Sequence, residues 1–178
     1  MKVIETPLKD CVEIEPRVFG DDRGFFLETF QAERYRTEAG ISQAFVQDNH
    51  SRSTRGVLRG LHFQKTKPQG KLVRVVSGKV LDAVVDLRRG SASFGEHHTV
   101  ILSEENKKQF WVPPGFAHGF VVLSETADFE YKCTDYYDPS DEGGLVWNDP
   151  TLSIDWGIDD VSLSEKDRVL PTFKELFS

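Results

Sequence analysis

Acidic residues are missing from one long stretch of an otherwise acidic chain. The 178 residues carry 29 Asp and Glu against 22 Lys and Arg, a formal net charge of -7. Yet no Asp or Glu occurs from Asn49 to Leu81, where Arg52, Arg55, Arg59, Lys65, Lys67, Lys71, Arg74 and Lys79 fall. Cysteine is scarce too. Cys11 and Cys133 are far apart and lack metal spacing, which excludes a disulfide framework and fits two free thiols in a reducing cytoplasm. No apolar run approaches a membrane span, and Met1–Pro7 has no apolar core, so neither a membrane segment nor a signal peptide is expected. Neither GxGxxG nor GxxxxGK[ST] occurs, and there is no βαβ rhythm, which excludes Rossmann and P-loop domains. Repeats, linkers and low-complexity tracts are absent. The negative net charge argues against a nucleic-acid partner and against binding to an anionic membrane surface. What remains is a composition, 38% hydrophobic and 29% charged, that suits one globular domain over residues 1–178 with its own core.

The chain does contain short alternating runs. Strands are expected at Val12–Phe19, Phe25–Phe30, Phe45–Asn49 and Gly56–Gln64, with a turn cluster at Gly20–Gly24. Gln31–Ala39 holds helix formers and stops at Gly40, predicting a short helix near the amino terminus. Lys71–Val76, Ser77-Gly78 and Lys79–Leu87 read as a hairpin, a Ser-Gly turn between β-branched runs. In its second arm Val80, Asp82, Val84 and Asp86 share one face, and Leu81, Ala83, Val85 and Leu87 the other. Further strands are expected at Thr99–Leu102, Gln109–Val112, His118–Leu123, Asp128–Tyr137 and Leu145–Trp147. In the long run Asp128–Tyr137, the residues Phe129, Tyr131, Cys133, Asp135 and Tyr137 fall on one face. Asp138–Gly144 reads as a loop, and Ser164–Phe177 as loop then short helix. Many short strands with regularly spaced turns predict an all-β barrel or double-sheet sandwich.

The basic stretch admits two readings. A cleft lined by one sign of charge focuses its field on an anionic small molecule. A basic edge strand instead discourages sheet-to-sheet pairing. His62 and His118 weigh towards a site, because each lies in an apolar strand where an ionisable group is either satisfied or functional. His97 and His98 are expected to be solvent-exposed. A metal site is not expected. His62-Phe63-Gln64 offers one imidazole where a β-barrel metal site would use His-x-His, and Lys71 puts a cation where a carboxylate ligand would help. Acid–base chemistry remains. A histidine takes a proton near neutral pH and works better with a carboxylate on its other ring nitrogen. Asp82 and Asp167 are both candidates for that carboxylate. Tyr131 is a candidate acid on the opposite wall, and Lys71 and Arg59 are candidates to stabilise an oxyanion. Strict alternation puts Arg59 and His62 on opposite faces. A bulge at Gly60 brings both to one side; without it Arg59 is an outer surface residue.

Six segments follow one another in order: Gln47-Asp48-Asn49-His50-Ser51-Arg52-Ser53, Leu58-Arg59-Gly60-Leu61-His62-Phe63-Gln64, Lys71-Leu72-Val73-Arg74-Val75, Asp86-Leu87-Arg88, Pro113-Pro114-Gly115-Phe116-Ala117-His118-Gly119-Phe120 and Tyr131-Lys132-Cys133-Thr134-Asp135-Tyr136-Tyr137. Over nearly its whole length the chain closely resembles the dTDP-4-dehydrorhamnose 3,5-epimerase family. The resemblance implies an all-β, cupin-like double-sheet jelly roll with a short helix near each end, working without metal or other cofactor as a homodimer that exchanges strands. It implies epimerisation at C3 and C5 of a dTDP-linked 4-keto sugar. A related 3- or 5-monoepimerase, a ketoisomerase or a non-catalytic sugar-nucleotide binder are the alternatives. His62 matches the family's proton acceptor, with Asp167 as its carboxylate partner, Tyr131 the proton donor, and Lys71 the lysine beside the C4 oxygen. Arg23, Glu28, Gln47, Asp48, Asn49, Arg59, His118, Glu142 and Lys166 match binding positions, and Tyr137 the aromatic that stacks on the nucleotide. Two departures concern local packing: His97-His98 stands where relatives often carry a bulky apolar residue, and Trp156-Gly157 replaces a commoner Trp-Pro.

Overall fold

Period-two patterning builds most of the chain into strands. The computed structural model describes residues 1–178. In chain order the elements are β1 (Lys2–Glu5), β2 (Val12–Glu15), β3 (Val18–Asp21), β4 (Gly24–Leu27), α1 (Ala32–Ala39), β5 (Gln47–Thr54), β6 (Leu58–Gln64) and β7 (Lys71–Ser77). There follow β8 (Lys79–Asp86), β9 (His97–Ser103), β10 (Gln109–Val112), β11 (Phe116–Val122), β12 (Thr126–Cys133), β13 (Glu142–Gly144), α2 (Glu165–Arg168) and α3 (Phe173–Phe177). A six-stranded sheet runs β1-β2-β10-β7-β12-β5 and a five-stranded sheet β13-β6-β11-β8-β9. Between the two sheets lies a core of Val73, Val75, Phe110 and Phe129 from the larger and Val80, Val84, Leu102 and Phe120 from the smaller. The outer face of the smaller sheet is covered as well. There Leu61, Ala83, Val85 and Val121 pack against Leu145, Leu152 and Trp156. With both faces covered, every residue of β11 is buried, which is why its sequence is apolar on both faces apart from His118. Helix α1 packs Tyr35 on the far side of the larger sheet with Ile14, Leu72 and Trp111. Gln31, expected as the first helical residue, instead caps the start, and Gly40, at φ 69°, ends the helix as the residues predict.

Several sequence expectations need correction. The Ser77-Gly78 hairpin does not form. β7 pairs with β10 and β12, whereas β8 pairs with β11 and β9, so the chain changes sheet at the turn. Gly78 sits at φ +78°, and a Cβ there would lie 2.1 Å from the Thr126 carbonyl, so the glycine serves a tight corner between layers. Turn chemistry signals a reversal but not whether the two arms exchange hydrogen bonds. The expected strand Val12–Phe19 breaks between β2 and β3 at Pro16, which has no N–H to donate. The strand expected to reach Phe30 ends at Leu27. The long run Asp128–Tyr137 ends at Cys133; beyond it Gly70 N–H binds the Thr134 hydroxyl and Gln69 binds the Asp135 carbonyl, so Asp135 and Tyr137 leave the strand face. The last strand is Glu142–Gly144 rather than Leu145–Trp147. A Cβ at Gly144 would lie 2.6 Å from Leu170, so the glycines permit the close ladder while Leu145 turns into the outer core. The tail forms two short helices instead of one. His97 and His98 are half-buried, and His98 bonds Glu13 at 3.4 Å.

The bulge at Gly60 does form. His118 pairs with His62 and Phe120 with Arg59, so three steps on β6 span two on β11. Gly60 takes φ +114°, where a Cβ would lie 2.7 Å from the His118 carbonyl; a Cβ on Gly119 would lie 2.6 Å from the Arg59 carbonyl. Gly60→Ala is therefore expected to lower the unfolding free energy by about 2 kcal/mol or more. Gly90→Ala, at an open position with ordinary φ, is the control. Equal urea midpoints for the two variants would show that the close contact is not required.

Candidate active site

Inward-facing residues of both sheets open into a cavity of about 470 Å³ at one end of the sandwich. Strand alternation selects them. Lys71 comes from β7, Tyr131 from β12 and His118 from β11, while the bulge lets β6 supply both Arg59 and His62. Helix α2 closes the far side with Lys166 and Asp167. An adjoining cavity of about 260 Å³ shares His62, Lys71 and Tyr131 and adds Gln47, Asn49, Tyr137 and Glu142.

His62 Nε2 lies 2.7 Å from Asp167 Oδ1, with Glu142 Oε1 next at 4.0 Å. Of the two carboxylates open from sequence, Asp167 is thus the partner of His62. Ser164 caps α2 by accepting the Asp167 N–H, which fixes that residue's place. Burial pushes the Asp167 carboxyl up, but the His62 and Ser164 hydrogen bonds and the Gly60 amide outweigh it and hold it below the ordinary range. Asp82 pairs with the other histidine: His118 Nε2 stands 3.0 and 2.8 Å from its two oxygens. Asp82 is fully buried, and burial raises its carboxyl against the charges of His118 and Lys71.

Tyr131 packs on Phe129 with ring centroids 6.0 Å apart. Burial foremost, then Cys133, raises its phenol, so it holds its proton at neutral pH. Lys71 is pulled down by enclosure in protein and supported by the charges of Cys133, Asp82 and Glu142, none of which hydrogen-bonds it. Its ammonium therefore faces the cavity without a close counter-ion. At the outer end, Tyr137 O–H donates to Glu142 Oε2 at 2.7 Å, and Lys166 binds the same oxygen. That bond to Glu142 pushes the Tyr137 phenol up to about 12. The Gln47 side chain accepts from Tyr137 N–H and donates to Asn49, linking β5 to the segment after β12.

Not every sequence candidate reaches the cavity. Arg23 sits exposed at the β3–β4 turn on Asp21, and Glu28 accepts from Arg34 at 2.7 Å. Asp48 points to the other side of its strand, where it binds Lys132 at 3.0 Å. The basic stretch does not form one field. Arg59 and Lys71 line the larger cavity, whereas Arg52 binds Asp128 and Arg74 lies 4.0 Å from Glu130 on the outer face. Gln64 is committed to the Lys67 and Tyr136 carbonyls and to Asp138 N–H. No group of three His, Cys, Asp or Glu stands where it would hold a metal ion. Sequence reasoning did not name Ser51 or the Ser162–Ser164 segment, which also line the cavity. The segment reaches it through a parallel bridge of Ser162 to Val57, a long-range contact with no local signal.

A histidine held by a carboxylate, a protonated phenol and a lysine with no hydrogen-bonded counter-ion are groups suited to proton transfer next to a carbonyl. Comparison with known proteins agrees. Residues 5–175 match the dTDP-4-dehydrorhamnose 3,5-epimerase family. A dTDP-4-dehydrorhamnose 3,5-epimerase of Pseudomonas aeruginosa is 57% identical over 169 residues, 94% of this chain and 93% of that protein. The crystal structure of the enzyme of that name from Elizabethkingia anophelis superposes with a TM-score of 0.94 at 54% identity, covering 98% of this chain and 97% of that one. A dTDP-6-deoxy-D-glucose-3,5-epimerase from Legionella pneumophila, solved with dTDP-4-keto-L-rhamnose, gives 0.95 at 53% identity, covering 99% and 94%. With the ordered motifs and the cupin-like double sheet in agreement, the chain belongs to the dTDP-4-dehydrorhamnose 3,5-epimerase family.

Proposed function

We propose that His62, Tyr131 and Lys71 divide the work of converting dTDP-4-dehydro-6-deoxy-D-glucose to dTDP-4-dehydro-L-rhamnose. The observation that carries this reading is the His62–Asp167 bond within a cavity shared with Tyr131 and Lys71. The 4-keto group acidifies the protons on C3 and C5. Because Asp167 engages Nε2, the other ring nitrogen of His62 is left to take the proton. The C–H electron pair moves into an enolate whose charge rests on O4 beside the Lys71 ammonium. Tyr131 then gives its proton to the opposite face of the carbon, which inverts it. Solvent restores the proton to Tyr131 and removes the one on His62, and the cycle repeats at the second carbon. Nothing is oxidised or reduced, so no redox cofactor is required.

Arg59, Lys166 and His118 contact the sugar diphosphate in this reading, while Gln47, Asn49, Glu142 and Tyr137 take the nucleotide end. Arg23 and Glu28 enter from a second copy. The β3–β4 hairpin pairs only with itself and leaves Phe19, Phe25 and Phe26 exposed by 50, 62 and 70%, an apolar face suited to a strand-exchanged homodimer. Asp48, bound to Lys132 on the outer face, serves the fold rather than the substrate. No helix is long and apolar enough to cross a membrane. A cytoplasmic enzyme of one domain, without nucleic-acid or membrane partners, fits these features.

Incubation in deuterated water tests the reaction: deuterium is expected at both C3 and C5 of the product. Label at one carbon would make the chain a monoepimerase, and label at neither would leave a binder. Tyr131→Phe tests the division of labour. Inversion should fall on the order of 100-fold or more, while deuterium still enters recovered substrate with retention through His62. Parallel loss of exchange and inversion would remove the donor role.

Strand exchange is tested by mixing Arg23→Ala with His62→Ala, each inactive alone. A shared site should regain activity in the mixed dimer, and Phe26→Asp should sediment as a monomer. Mixtures that stay inactive would place Arg23 outside the partner's site.

A further inference from the structure

Strand β5 forms one edge of the larger sheet, with Gln47, Asn49, Ser51 and Ser53 turned inward and Asp48, His50, Arg52 and Thr54 exposed on the other side. An inward face without one apolar side chain is not built for a core. Gln47 and Asn49 line the outer cavity and Ser51 the larger one. Ser53, the last of the four, lines neither and is buried. Across the ladder it faces Ala127, the smallest inward residue of β12. Its hydroxyl accepts a hydrogen bond from Arg59 Nε at 3.1 Å.

Arg59 itself lines the larger cavity. It differs from its basic neighbours. Lys166 is bound to Glu142, and Arg52 to Asp128. Arg59 forms no ion pair, and its hydrogen bond runs from Nε to a neutral hydroxyl. The terminal N–H groups and the whole positive charge therefore stay available. A guanidinium fork of this kind matches the oxygens of a phosphate group.

We infer that Ser53 is a positioning residue, whose hydroxyl orients the Arg59 guanidinium for the substrate diphosphate without neutralising it. The inference rests on the reading of Arg59 as a diphosphate contact. A carboxylate in place of Ser53 would hold the arginine more strongly but would offset the charge that attracts the diphosphate. An apolar residue there would leave a long side chain free among its rotamers, and binding would have to order it. The bulge at Gly60 sets the side of β6 from which Arg59 leaves. Ser53 then fixes the orientation of the fork.

Ser53→Ala removes the hydroxyl. The Kd for dTDP, measured by calorimetry, and the KM for the sugar nucleotide should each rise about fivefold to tenfold, with kcat little changed, because the contact serves ground state and transition state alike. Ser53→Thr keeps the hydroxyl and should bind dTDP as the native enzyme does. Ser53→Val, of the same shape as Ser53→Thr without the hydroxyl, should be as weak as Ser53→Ala. In an Arg59→Ala background Ser53→Ala should add no further loss. Unmoved Kd and KM in Ser53→Ala, equal affinities of the Thr and Val variants, or further loss in the Arg59→Ala background overturns the positioning role while Arg59 keeps its own contact. Native affinity for dTDP in Arg59→Ala would overturn the diphosphate reading and this inference with it. Where the Ser53 variants do not fold, hydrogen exchange at nitrogen-15-labelled arginine Nε in the native protein decides, with Arg59→Lys identifying the signal. Exchange slower than that of the exposed Arg55 supports the inference, and equal exchange overturns it.

Discussion

The approach of β6 to β11 at Gly60 and Gly119 governs the geometry of everything in the cavity. Two backbones meet there more closely than any side chain allows, since a Cβ on either glycine would lie under 3.0 Å from the carbonyl opposite. The extra residue that β6 gains turns Arg59 to the same side as His62. It also brings the Gly60 backbone close enough to Asp167 to favour that carboxylate's charge, beside the larger effect of His62. Without the bulge, one face of β6 would carry His62 and the other Arg59.

Charge is handled by local pairing rather than by a broad field. Asp167 serves His62, Asp82 serves His118, and Glu142 gathers Tyr137 and Lys166. The two histidine–carboxylate pairs differ in setting. Asp167 is supplied with hydrogen bonds that favour its charge, whereas Asp82 is enclosed among valines and its charge is less favoured. The contrast sets a carboxylate at the cavity wall against one buried behind His118.

The β3–β4 hairpin is the least self-sufficient part of the chain. It shares no ladder with either sheet and shows three phenylalanines to solvent. Arg23 and Glu28 lie on it or just beyond it, away from the cavity of their own chain. Both facts find one explanation if the hairpin completes a neighbour's site, since a surface left apolar by one copy is then covered by another.

The residues themselves determined the all-β class, the helix from Gln31 to Gly40, the capacity of Gly60 for a bulge and the poor metal-ligand set around His62. Each of these follows from spacing, turn chemistry or donor type, all local properties. Family resemblance added Asp167 as the partner of His62, which periodicity alone left level with Asp82. Tertiary structure decided the rest. It sent β7 and β8 into different sheets, although the Ser-Gly turn reads as a hairpin. It assigned Asp82 to His118 and Asp167 to His62, brought Ser162–Ser164 to the cavity wall, and dispersed the basic stretch over two faces. The physical reason is the same throughout: a strand's sequence records which residues share a face, whereas its neighbours are chosen by packing between segments far apart in the chain.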